Sequence, residues 1–129
     1  MTRQTFVTLS AAVAIAVAAF ALILPGALLV GKGVQPNPTL LVWVREVGVL
    51  ILAAGITVAL VRKAPDSAAL RGVLMGNAVL HLGMLPIELV AFSQGLLTKL
   101  GGVVPNSVLH LVLAFGFVVY ARRVRVPRS

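Results

Sequence analysis

Asn77-Ala-Val-Leu-His81-Leu-Gly-Met-Leu-Pro86-Ile-Glu88 sets an amide, an imidazole, a proline and a carboxylate inside a long apolar run. The run extends from about Ala68 to Phe92, long enough for a helix that crosses a bilayer. Polar groups at such depth are expensive, so they need partners and often have a role. Gly72 and Gly76 form a GxxxG element extended by Gly83, which predicts close helix packing on a second face. Pro86 lacks an N–H, so the Leu82 carbonyl loses its helical donor and a kink is expected there.

Outward from this stretch, three further apolar blocks complete the chain of 129 residues, 60% of them hydrophobic. The expected helices are about 5–24, 38–61, 68–92 and 103–121, forming one all-α integral membrane four-helix bundle. The first block ends at Pro25-Gly26 and continues as a short apolar turn, so it reads as a retained helix rather than a cleaved signal peptide. Asn37-Pro38 reads as an N-cap with proline in the first turn of the second helix. Trp43 is an interfacial anchor, Arg45 and Glu46 follow it, and Gly48 and Gly55 mark a small-residue face. Asp66 or Ser67 caps the third helix. Asn106, Ser107 and His110 open the fourth, and Tyr120 precedes a basic tail that includes Arg128.

The net charge is +8. In a chain this apolar the basic residues set topology, and no basic helix or aromatic platform suggests nucleic-acid binding. Arg3, Arg62, Lys63, Arg71, Arg122, Arg123, Arg125 and Arg128 fall on one side, against Lys32, Arg45 and Lys99 on the other. Both termini are therefore expected in the cytoplasm. This bias, and a first helix without any ionisable residue, argue against a dual-topology exporter. With no cysteine, the chain has no disulfide, thiol chemistry or cysteine-based cofactor.

Topology also sets depth. At about 1.5 Å per residue, Arg45, Glu46, Glu88 and His110 come to one level in the outer leaflet, roughly 7–10 Å down, with Asn77 and His81 deeper. Pairing Arg45 with Glu88 or Glu46 would offset much of the cost of burying either charge. Two arrangements fit: a closed ion-pair network that fixes helix register, or an outward-facing pocket for a small polar head group or quinone ring. Acid–base chemistry by His81, Glu88 and His110 is conceivable by residue type, but no nucleophile is evident. No metal site is expected, since the histidines and carboxylates show no ligand spacing on one helix.

The layout resembles the DoxX-like group of small four-helix membrane proteins. The resemblance rests on Pro25-Gly26, on Arg45-Glu-Val-Gly48 as an Arg-x-x-Gly element, on Leu52-Ala-Ala-Gly55, on Pro65-Asp66 before Leu70-Arg71-Gly-Val-Leu, and on His110. It implies a site for a quinone or lipid ligand, since relatives include subunits associated with quinone-linked oxidoreductases; an inner-membrane location is expected with the cytoplasmic termini. Three functions stay open. The first is a non-enzymatic membrane subunit or small-ligand-binding protein, as a homo-oligomer or beside a partner subunit. The second is an oxidoreductase subunit or an enzyme on a lipid or sterol-like substrate, using His81, Glu88 and His110. The third is a small proton-coupled transporter.

Overall fold

A computed structural model describes residues 1–126 of the chain, and Arg128 of the basic tail lies outside the described residues. Within them the chain forms five helices: α1 (Arg3–Ile23), α2 (Pro25–Gly31), α3 (Pro38–Leu60), α4 (Ala68–Ser93) and α5 (Leu100–Arg123). A 3-10 turn, Val61–Lys63, extends α3. Three of the four long helices, α1, α3 and α4, start where a side chain satisfies an orphan amide. The Thr2 and Asn37 side chains accept from Thr5 and Leu40 N–H, and Ser67 accepts from Leu70. Ser67, not Asp66, is thus the cap of α4.

The apolar turn expected after Pro25 is instead a two-turn helix. Leu24 leaves helical geometry (φ −125°, ψ 51°) and Pro25 occupies the first position of α2, where its missing N–H costs nothing. Both α2 and α4 close with the same device. Gly33 (φ 80°) donates to Val30 O and Val34 to Leu29 O; Gly95 (φ 72°) donates to Phe92 O and Leu96 to Ala91 O. These are Schellman closures, which need a residue tolerant of left-handed geometry after the cap. The helix α4 runs unbroken through Pro86.

Packing joins the helices as two hairpins, α1 on α3 and α4 on α5. Gly48 and Gly55 make the first pair possible. A Cβ at Gly55 would stand 3.0 Å from Ala14 Cβ, and one at Gly48 3.1 Å from Leu22 Cγ. The expected packing at Gly72, Gly76 and Gly83 is not found among the described residues, because none of them lies within 4 Å of a Cβ built at any of these positions. The hairpins meet mainly at one end, where Phe6, Val7, Leu74, Leu113, Phe117 and Tyr120 form a buried core. Phe6 packs edge-on against Phe117, with ring centroids 5.0 Å apart, and tilts over Tyr120 at 5.1 Å. Gly116 supplies the space, for a Cβ there would strike the Phe6 ring.

The same end gathers both ends of the described chain and the α3–α4 turn. Tyr120 donates to Met1 O (2.7 Å), and Asp66 pairs with Arg3 and accepts from the Arg125 backbone N–H (2.9 Å). These two partners hold the Asp66 carboxyl below its ordinary value, the Arg125 amide most strongly. The opposite end gathers α2, the loop after it and the α4–α5 loop. There Thr98 donates its N–H to Lys32 O (3.1 Å) and its hydroxyl to Gly33 O (3.0 Å).

Large apolar side chains face outward along α3 and α4, among them Leu50, Leu60 and Val79. Among the described residues four helices, α1, α3 with its extension, α4 and α5, are long and apolar enough to cross a membrane. An apolar exterior of that kind suits lipid rather than water, and the chain is a multi-pass membrane protein.

Candidate functional site

The polar side chains of α4 and α5 face each other in a row. Glu88 is buried, with 3% of its surface exposed. It lies one turn and a half from the end of α4. The Lys32 ammonium pairs with Oε1, Asn106 Nδ2 donates to the same oxygen (2.8 Å), and Ser107 Oγ donates to Oε2 (3.0 Å). Every group in this knot is partnered. Leaving such a carboxylate buried without its cation would cost about 3–5 kcal/mol, which is why the closure after α2 matters. It turns Lys32 inward, and the close approach of α2 to α5 holds it there. A Cβ at Gly102 would collide with the Gly31 carbonyl.

Two turns below Glu88 on α4, His81 meets His110 of α5, with their Nδ1 atoms 2.8 Å apart. One ring must donate from Nδ1 and the other accept, so the two tautomers are complementary. His81 also stacks on Phe117 (5.7 Å, 13° between planes), which ties the row to the apolar core. Both histidines are half-buried. The bond between them leaves each ring a second nitrogen, and among the described residues no hydrogen bond is made there. The row therefore reads Lys32, Glu88 with Asn106 and Ser107, then His110 with His81, from one end of the bundle to its middle.

Three of the sequence-predicted site residues thus come together, His81, Glu88 and His110, and three do not. Arg45 is exposed on α3 and, among the described residues, reaches only the Leu22 carbonyl of α1, at 3.4 Å. Glu46 is exposed beside it. Asn77 donates to Val73 O of its own helix (2.9 Å). The expected Arg45–Glu88 pairing is corrected: Arg45 of α3 lies beside α1, whose Leu22 carbonyl it reaches, whereas Glu88 faces α5. Shared depth did not imply shared direction. The expected gap in depth between His81 and His110 is corrected too. The helix α5 begins at Leu100, so His110 is ten residues in, at about 15 Å, and meets His81 about 18 Å from the end of α4.

Sequence reasoning missed Lys32, Asn106 and Ser107 as partners of Glu88. The signal for Lys32 was its place between Gly31 and Gly33, on the side of the bundle poorest in cations. For Ser107 it was a position one turn before His110, on the same helical face.

Among the described residues no group of three histidine, cysteine, aspartate or glutamate side chains converges as a metal site would need. Clefts open instead on the outside of α1, one along Thr2, Thr5 and Thr8, another along Ala11, Ala12, Ile15 and Arg62. No protein-family model, curated protein or solved structure matches the chain.

Proposed function

We propose that this chain is a non-enzymatic component of an inner membrane, of the DoxX-like kind, with both termini in the cytoplasm. The observation that carries the reading is the closure of the polar knot. Lys32, Asn106 and Ser107 occupy both oxygens of Glu88, so the carboxylate is committed to holding α2, α4 and α5 together rather than to an incoming substrate. The orientation follows from charge. The end with Arg3, Arg62, Lys63 and Arg71 faces the cytoplasm, and Lys32 at the other end is neutralised by Glu88. The test is purification in mild detergent. The expected protein has no chromophore and turns over neither quinol nor lipid, and Glu88→Gln lowers its melting temperature. Turnover of a quinol that Glu88→Gln abolishes would overturn the reading.

A second reading, a quinone or lipid head group bound at the histidine pair, is favoured by one observation. Each half-buried ring keeps a nitrogen outside the His81–His110 bond, and on the ring that accepts at Nδ1 this nitrogen carries the N–H, for which a quinone carbonyl or head-group oxygen is a suitable acceptor. It predicts that quinone or lipid retained on the purified protein is lost in His110→Leu. A proton-coupled transporter would have to break the Lys32–Glu88 pair in each cycle. Proton-coupled uptake into proteoliposomes that disappears in Glu88→Gln would support it.

A further inference from the structure

The helix α3 turns one whole side away from the rest of the chain. Its buried positions are Gly48, Gly55 and Val58, the first two against α1. On a flank about 100° round the helix from Gly48, Val42, Val49 and Ile56 recur every seven residues and are 53%, 56% and 46% exposed. Arg45 and Glu46 are exposed on that same side. Successive residues of a helix are about 100° apart, so these two charges flank the Val42–Val49 row, one on each side of it.

Both charges lie at lipid depth. The span Pro38–Lys63 has 26 residues, about 39 Å of helix against a hydrocarbon core of about 30 Å. With the span centred, Arg45 and Glu46 sit about 6 Å inside the hydrocarbon boundary. An arginine stem can lift its head group from there, but a glutamate is short. Among the described residues Glu46 makes no side-chain hydrogen bond or ion pair, and Arg45 has only its 3.4 Å contact to Leu22 O. Lipid tails offer neither charge a partner.

We propose that a second copy of this chain covers this face, with α3 parallel to α3 and Arg45 of each copy paired with Glu46 of the other. The inference rests on the membrane-spanning reading. Two copies inserted the same way are related by a twofold axis along the membrane normal, so equal residues stand at equal depth. In such an isologous contact the side that carries Arg45 in one copy faces the side that carries Glu46 in the other. The two residues differ by about 1.5 Å in height, so both pairs close at once. The row between them is β-branched at a seven-residue repeat, so it presents one continuous apolar strip to an equal helix. Opposite charges at adjacent positions make this face complementary to itself. A lipid head group or an unrelated subunit would have to supply both signs at the same spacing.

Because the chain has no cysteine, single cysteines report the contact directly. Full-length Val42→Cys and Val49→Cys, oxidised in native membranes and again after reconstitution alone into liposomes, are expected to give a disulfide-linked dimer. Val47→Cys, on the far side of α3, and Val79→Cys, on α4, are expected to give none. In the Val49→Cys background, Arg45→Glu and Glu46→Arg each bring like charges together and should lose the dimer. The combination of Arg45→Glu with Glu46→Arg should restore it. If a single swap fails to accumulate, the comparison of Val49→Cys with Val47→Cys still decides. Equal cross-linking at Val47 or Val79 overturns the proposal. So does a monomer at Val49 in liposomes, which would assign the face to lipid or to another subunit. Absence of the protein from the carbonate-resistant membrane fraction would overturn the membrane-spanning reading, and this proposal with it.

Discussion

Glu88 concentrates the energetics of single residues in this chain, because its carboxylate is buried and three donors meet on it. Lys32→Met should lower stability by about 3–5 kcal/mol in detergent unfolding, since it strands a buried charge. Lys32→Met combined with Glu88→Met should lose less than Lys32→Met alone; a larger loss would show that the pair does more than neutralise itself. Arg45→Ala and Glu88→Gln should be additive, as the two side chains do not touch. Asp66 gives the pH prediction. Its carboxyl is held below the ordinary value near 3.8 by the Arg125 amide and by Arg3. A depressed folded pKa means that the stabilisation is present above the unfolded value and is lost as pH falls through the folded one. The clasp should hold at neutral pH and release at acid pH below the ordinary carboxylate value. Amide protection near Phe6, taken relative to the intrinsic exchange rate at each pH, should then fall at low pH in the wild type and stay unchanged with pH in Asp66→Asn. At this scale the sequence revealed which groups are costly and how deep they lie. It did not reveal their partners, because depth is one coordinate and the direction a residue faces depends on which helices become neighbours.

Among elements, the contrast between glycines is the clearest. Gly116→Ala should destabilise by about 1–3 kcal/mol, as overpacking does, because the added methyl occupies the space of the Phe6 ring. Gly76→Ala should be tolerated in the isolated chain, since open space surrounds it; thermal melts of the two variants side by side check both. The sequence marked Gly48 and Gly55 and also Gly72 and Gly76 as packing faces by the same spacing argument. Only the first pair meets a helix of its own chain. Spacing identifies a face that permits close approach but not what approaches it. The helix α2 is not legible as a helix in the sequence, because seven residues are too few for a periodic pattern to declare itself. The Pro25 start and the Gly33 closure were both visible as residue types.

For the whole molecule, four apolar blocks of spanning length made the all-helical architecture legible, because lipid allows few ways to satisfy a backbone. Orientation can be checked on single-cysteine variants of the full chain. Thr98→Cys should react with a membrane-impermeant maleimide added to whole cells, and Ser67→Cys should react only after permeabilisation. The reverse pattern would invert the assignment of the two ends. The pairing of helices was not legible, since apolar faces of similar composition do not announce their neighbours. That pairing, α1 with α3 and α4 with α5, bears on how the protein is made. Each pair consists of spanning helices consecutive in the chain, so the loops to be closed are short and little entropy is lost in closing them. The first hairpin is complete before the second leaves the ribosome, and membrane entry needs no long-range search. What remains for the finished chain is a docking step with two latches at opposite ends, Phe6 into the gap at Gly116 and Lys32 onto Glu88. Synthesis as two separate halves, residues 1–63 and 64–129, should therefore still yield an assembled protein when both are made in one cell.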